Sequence, residues 1–392
     1  MTPVPSYRYI VTCAKGSAPY VSAEIQELGY TAAERSATAV EVYGDAHALY
    51  RLNLWLRCAH RVLLFLWEGE AATAADLYQW AVGLSWESHI DPTSVITVTA
   101  SVRNQTIRNS LYACQKLKDA IADRMRRYCG RRPNSNSSRQ GTVIFLHWRD
   151  NHVSVWLDSS GIPLSKRGYR QHTTRAPLSE ALAATIMRAS GWNPSVPLIV
   201  PMCGSGTFAI EAAMMARNIA PALYRPSFAF QWWRGFQVDV WNTLREEARS
   251  MCIETKTVIL ACDNERAALN SARANAQAAH VERSIEFRFC DFRCLTLPPP
   301  PAFVIANPPY GIRIGEESDL PALYRELGDW LKHSCAGMKG FILTTPDNAK
   351  FIGLRPKRRV QLFNADIECR LLEYELYRGT KKTIPRNTDE LD

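Results

Sequence analysis

Asn307-Pro308-Pro309-Tyr310 follows directly on the apolar run Ala302–Ala306. Two consecutive prolines fix φ and remove two N–H donors, and Pro308 keeps Asn307 out of helical geometry. The side-chain oxygen of Asn307 and the carbonyl of Pro308 then become two rigid acceptors. Such a pair suits an exocyclic amine on a planar base, which carries two N–H donors. Accepting both draws the nitrogen lone pair out of the ring and turns it toward an electrophile. Tyr310 offers a flat face on which a base can stack, and Gly311 lets the chain pass close by. Taken alone, a plain proline turn explains the same residues, so their neighbours must decide.

Three further motifs keep this one company. Pro201-Met202-Cys203-Gly204-Ser205-Gly206-Thr207 joins the run PLIVP to the helix-like TFAIEAAMMA. Its glycines allow close backbone approach to a ligand, and a helix N-terminus supplies free N–H donors. No Gly-Lys-Ser/Thr follows, and residue 209 is Ala, so neither a Walker loop nor the full dinucleotide fingerprint is present. Asp263 ends VILACD, where a nucleotide ribose is gripped in doubly wound folds. Followed by Asn264 and Glu265, it is equally suited to cap the next helix. Asp291-Phe292 follows IEFRFC, placed to meet an adenine amino group and to pack its ring, or else to make an ordinary acidic turn.

The elements that position these motifs alternate regularly over residues 176–378. Apolar strand-like runs at PLIVP, KTVILACD, IEFRFCD, AFVIA and GFILTTP are separated by helical patterns, and RRVQLFN with ECRLLEYELYR makes a closing pair. Alternation of this kind predicts a mainly parallel, doubly wound α/β sheet. Ligands of such sheets bind beyond the carboxyl ends of the strands, where all four motifs lie, in order. Together they predict an S-adenosylmethionine-dependent methyltransferase acting on an amino nitrogen.

The first 165 residues have a different texture. Short strands (YRYIVTC, AVEVYG, RVLLFLWEG, SVITVTASV), helices, and the hairpin TVIFLHWRDNHVSVWLDSSG give an α+β pattern without a catalytic cluster. Residues 101–140 hold ten Lys and Arg against Asp119 and Asp123 alone, almost the whole of the net charge of +9. A solvated helix face is the modest reading. Concentration in one segment favours a surface for a phosphate backbone.

Composition narrows the class. No stretch is apolar enough for a membrane span, and no secretory signal is visible. The 11 cysteines are odd in number and form no C-x-x-C pair, and the 8 histidines do not cluster with them. Reduced thiols, no metal and a cytoplasmic location are expected.

The chain resembles the THUMP-domain RNA guanine-N2 methyltransferases, closest to the 23S ribosomal RNA type with a single methyltransferase domain. The resemblance is carried by LYRLNLWLRCAHRVLLFL, QKLKDAIADRMR, SGIPLSKRGYR, APLSEALAATIM, PMCGSGTFAIEAA, NPPYGIRIG and FNADIECRLLEYEL. It implies a ferredoxin-like segment over 1–62, a THUMP RNA-binding domain over 63–165, and a Rossmann-like class I methyltransferase domain over 166–380 with an antiparallel last strand. A tail over 381–392 completes the chain. By the same resemblance, Pro201, Cys203, Gly204, Ser205, Gly206 and Thr207 cradle the methionine part of S-adenosylmethionine. Asp263 and Asn264 hold its ribose, and Asp291 and Phe292 its adenine. Asn307, Pro308, Pro309 and Tyr310 hold the guanine. RNA contacts fall to Arg103, Arg108, Lys116, Lys118, Arg126, Arg127, Arg131, Arg132, Lys166, Arg167 and Arg170. The chain departs from the family at Val200, where an aspartate is usual, and at Ile312, where a glutamate is usual.

Four rivals stay open at this point. A transfer-RNA guanine methyltransferase would share every motif. A DNA adenine-N6 methyltransferase shares the loop at 307–310, though not the basic α+β half. A methyltransferase acting on protein or a small molecule has no use for the basic segment. A catalytically dead RNA-binding protein would explain Val200. Neither the target nucleotide nor the oligomeric state is legible.

Overall fold

The computed structural model describes residues 6–107, 109–136, 141–171, 178–310 and 320–377. Arg108, Gly311, Ile312 and the expected tail at 381–392 lie outside the described residues.

The N-terminal half is built on one eight-stranded sheet. Strands β1 (Tyr7–Cys13), β2 (Ala32–Ser36), β3 (Ala39–Gly44) and β4 (Ala59–Glu70) alternate with helices α1 (Ala18–Glu27) and α2 (Ala46–Trp55). Helices α3 (Ala74–Gly83) and α4 (Ser110–Cys129) accompany β5 (Val95–Arg103), β6 (Asn134–Ser135), β7 (Thr142–Arg149) and β8 (His152–Asp158). The sheet order is β2-β3-β1-β4-β8-β7-β5-β6. The expected boundary at 62/63 falls inside β4. Its 12 residues pair with β1 on one edge and with β8 on the other, so a single strand serves both segments. Strand β2 gave no sequence signal, because it is a polar edge strand, exposed along nearly its whole length.

Local chemistry fixes the helix ends. Asp45 accepts the Ala48 N–H at 2.9 Å, Thr73 and Asp76 form a reciprocal capping box, and Ser179 accepts the Leu182 N–H at 3.2 Å. Gly130 closes α4 in the left-handed conformation. The α4 pattern buries Ala113, Leu117, Ala120, Ile121 and Met125 and leaves Arg126 and Arg127 exposed, while Arg124 pairs with Glu87 at 2.6 Å.

The C-terminal half carries seven strands: β9 (Leu198–Val200), β10 (Ile259–Asp263), β11 (Glu286–Phe289), β12 (Phe303–Ala306), β13 (Lys339–Thr344), β14 (Arg358–Asn364) and β15 (Ile367–Glu375). Helices α5 (Glu180–Ser190), α6 (Thr207–Ala216), α7 (Val238–Ser250), α8 (Arg266–Ala278), α9 (Leu320–Ser334) and the short α10 (Pro346–Ala349) surround them. The order is β11-β10-β9-β12-β13-β15-β14, with β15 antiparallel to its two neighbours and the other pairings parallel. This is the expected class I arrangement. Strands β9, β10, β12 and β13 are buried on both faces, which is why they read as continuous apolar runs. Leu198, Val200, Ala261 and Ile305 join one apolar cluster, while Ile199, Leu260, Val304 and Ala306 pack with Tyr324, Leu327 and Leu331 of α9 in the other.

The chain leaves β9 for β10 and β11 on one side, then crosses back to β12 on the other. The order therefore reverses between β9 and β12, and a crevice is expected outside their carboxyl ends. The glycine turn starts at the end of β9 and the Asn-Pro-Pro-Tyr loop at the end of β12.

The two halves are tied together by residues of α7 and of the segment between α6 and α7. Tyr50 of α2 meets Phe230, Phe236 and Trp241 at ring separations of 4.9, 6.0 and 6.0 Å, and the Phe230 N–H reaches the Ser159 carbonyl at 3.0 Å. Aromatic burial of this kind contributes well beyond a polar contact. Among the described residues no helix is long and apolar enough to cross a membrane.

Candidate active site

The glycine turn is tightly fastened. Met202, Gly204 and Gly206 have φ of 56°, 54° and 84°, a region that costs a side-chain-bearing residue energy and glycine almost none. At Gly206 a Cβ would also lie 2.9 Å from that of Ala272 in α8, so glycine serves both turn and packing. The Cys203 N–H donates to the Cys262 carbonyl at 2.8 Å. Asn275, buried in α8, donates to the Ser205 carbonyl at 3.1 Å and accepts the Gln171 N–H at 2.9 Å. Pro201, Ser205, Gly206 and Thr207 are buried, while Cys203 and Gly204 are half-buried. Burial pushes the Cys203 thiol well above its ordinary pKa, with nearby Asp263 adding to the rise.

Asp263 straps two strand ends together. One carboxylate oxygen accepts the Gly204 N–H at 2.8 Å and the other accepts the Glu265 N–H at 2.9 Å. Glu265, not Asp263, occupies the N-cap position of α8. Asn264 is exposed beside it. Val200, the last residue of β9, is packed in the apolar cluster of the face opposite α9.

Asp291 stands at the end of β11, and its carboxylate is engaged by its own neighbour. Arg293 donates its backbone N–H at 2.9 Å and two guanidinium N–H groups at 2.8 Å each. These bonds hold the carboxyl below its usual pKa. One oxygen takes a single bond and keeps room for a further donor. Phe292 does not present its ring to a ligand. It is 5% exposed and packs edge-on against Trp330 at 5.3 Å. The aromatic face open beside Asp263 is Phe289, its cross-strand partner, 51% exposed with the Arg266 guanidinium 4.5 Å from its centroid. The motif alone points to Phe292, because the chain leaves the strand between the two rings and the alternation stops.

At the end of β12, Asn307 is half-buried, Pro308 buried and Pro309 exposed. The Tyr310 hydroxyl donates to the Asn307 side-chain oxygen. An amine that uses this oxygen competes with that hydroxyl. The loop is held from behind. Tyr324 donates to the Pro309 carbonyl at 3.2 Å, and Asn348 to the Tyr310 carbonyl at 3.1 Å.

The basic surface divides. Arg103, Arg126, Arg127, Arg131, Arg132 and Lys166 are exposed, and Lys116 and Lys118 are half-buried. Arg126 lies 3.1 Å from Asp123 in an exposed pair of little energetic weight. Two residues expected to meet RNA are turned inward. Arg167 is 3% exposed, donates to the carbonyls of Leu164 (2.6 Å) and Arg57, and lies 3.4 Å from Glu211. A guanidinium taken out of water must be paired inside the protein, so Arg167 ties the connector to α6. Arg170 bonds Glu180 at 2.9 Å, the Leu178 carbonyl at 2.7 Å and the Thr207 hydroxyl at 3.0 Å, with the Ser205 hydroxyl at 3.5 Å. It braces the glycine turn. Arg170→Ala is expected to weaken S-adenosylmethionine binding about tenfold, as loss of a charged hydrogen bond does, with RNA affinity unchanged. Calorimetry with cofactor and a filter-binding titration with RNA check this, and the reverse pattern would return Arg170 to the RNA surface. Among the described residues no group of three or more His, Cys, Asp or Glu is placed to hold a metal ion.

Comparison with known proteins places this arrangement. Residues 167–373 match the RMKL-like methyltransferase domain, 8–63 the RlmL ferredoxin-like domain and 71–158 the THUMP domain. A protein of Synechocystis named as an RNA methyltransferase is 34% identical over 94% of this chain and 97% of its own length. The ribosomal RNA large subunit methyltransferase K/L of Psychromonas ingrahamii is 38% identical over 94% of this chain and 50% of its own. The chain thus spans about half the length of the K/L relatives it matches. The solved structure of SMU.472, named as a methyltransferase and complexed with SAH, superposes with a TM-score of 0.86 at 28% identity over 96% of this chain and 99% of its own. Topology, turn, loop and comparisons agree: the chain belongs to the RMKL-like family of S-adenosylmethionine-dependent methyltransferases that carry a THUMP domain.

Proposed function

We propose that the protein transfers the methyl group of S-adenosylmethionine to the exocyclic N2 of a guanine in 23S ribosomal RNA. The observation that carries this reading is the opening of two motifs at one switch point. A glycine turn leaves β9 and a loop with two amine acceptors leaves the adjacent β12. The THUMP match, the exposed cations of α4 and the K/L relatives support RNA, and the large-subunit RNA in particular.

The residues fit the cofactor. The turn 203–207 takes its methionine end, Asp263 its ribose, and the spare lone pair of Asp291 its adenine amino group. When bound, the cofactor supplies an already activated methyl group. The protein then has only to place the amine about 3–3.5 Å from that carbon and in line with the departing sulfur. Asn307 and Pro308 fix the direction of the amine. A base within a duplex cannot reach this crevice, so the target is single-stranded or flipped.

The test is labelled methyl transfer to unmodified 23S RNA, transfer RNA, DNA and protein. Label in 23S RNA alone is the expected result, and label confined to any other arm contradicts the reading. The RNA surface is tested separately. Replacing Arg126, Arg127, Arg131 and Arg132 with Ala is expected to weaken RNA binding and to reduce its salt slope by up to about 0.7 per lost phosphate contact on a single strand. Cofactor affinity should not change. A wild-type slope would make this face merely solvated.

A further inference from the structure

We infer that Tyr324 and Asn348 are positioning residues for methyl transfer, acting on the target amine through the backbone of the Asn307–Tyr310 loop; the inference rests on the proposed role of that loop. Tyr324 is fully buried on α9, 14 residues or more from every loop residue it serves. Its hydroxyl contacts the Pro309 carbonyl at 3.2 Å and the Thr344 hydroxyl at 2.7 Å. A carbonyl only accepts, so the single Tyr324 proton goes to Pro309. Thr344 then donates to the Tyr324 oxygen. The amide of Asn348 donates to the Tyr310 carbonyl at 3.1 Å.

The consequence lies in the backbone. The Pro308 carbonyl belongs to the peptide plane preceding Pro309. The Pro309 ring fixes φ, but nothing in a proline fixes ψ. Holding the Pro309 carbonyl fixes the next plane and therefore ψ. Holding the Tyr310 carbonyl fixes the plane after that. Ring and network together leave the Pro308 acceptor one direction.

Tyr324→Phe deletes one oxygen and keeps the ring. It is expected to lower the single-turnover rate about 10- to 100-fold, the scale of a slight misplacement of reacting groups, with cofactor and RNA dissociation constants unchanged. Asn348→Ala is expected to act in the same direction and carries the test should Tyr324→Phe fold poorly. The Asn307→Ala background separates positioning from general stability, because residues acting through one loop are not additive. There, Tyr324→Phe should cost less than about threefold. Full additivity, or lower thermal stability with wild-type turnover, would overturn the inference. A silent Asn307→Ala would instead remove the loop reading beneath it.

Discussion

Asn307→Ala is expected to lower the single-turnover rate of methyl transfer about 10²–10³-fold, the cost of losing one oriented electrostatic group. The variant keeps both prolines, and the bonds from Tyr324 and Asn348 to the loop carbonyls do not involve the Asn307 side chain. Fold and cofactor site should therefore survive. RNA affinity should barely move, since the proposed phosphate contacts lie on α4 and its surroundings. The substitution also frees the Tyr310 hydroxyl from the partner it now holds. Tyr310→Ala should behave differently. It removes a stacking face worth roughly 1–3 kcal/mol per base, and so should weaken capture of the target as well as slow its reaction. Saturating RNA and cofactor in a rapid-quench experiment separate the two effects. A near wild-type rate for Asn307→Ala would mean that the loop grips no amine.

Asp263→Ala should weaken S-adenosylmethionine binding by about 1.5–3 kcal/mol, the range for charged hydrogen bonds, or roughly 10- to 150-fold. The carboxylate already accepts from Gly204 and Glu265, so two effects contribute. A ribose diol loses its acceptor and the glycine turn loses its strap. Asp263→Asn keeps one amide oxygen for Gly204 and should fall between wild type and Ala. Calorimetry on the folded variants decides, and unchanged affinity for Ala would remove Asp263 from the cofactor site.

The methyltransferase half is legible because its central strands are buried on both faces and end in residues that suit only a few chemistries. VILACD and AFVIANPPY announce both a strand and what stands at its tip. The edge strand β2 was not legible, since an exposed strand has no apolar alternation to show. Arg167 and Arg170 were misjudged for a related reason. Charge alone does not say which way a cation faces, and their carboxylate partners, Glu211 and Glu180, lie 44 and 10 residues away. Phe292 is the ring that the Asp291-Phe292 motif points to, whereas solvent exposure singles out Phe289. Tyr324, Thr344 and Asn348 carry no local signal at all. They are an ordinary helix tyrosine, the last residue of β13 and a residue of α10, brought to the loop only by the packing of α9 and α10 around β12 and β13.

The central claim is the position of the methyl group on the base. Unmodified 23S RNA would be methylated with labelled S-adenosylmethionine, digested to nucleosides and resolved by liquid chromatography and mass spectrometry, with Asn307→Ala in parallel. The account predicts that the label runs as N2-methylguanosine with wild-type protein and is nearly absent with the variant. Label in N6-methyladenosine, or in N2-methylguanosine at equal rates for both proteins, would contradict it.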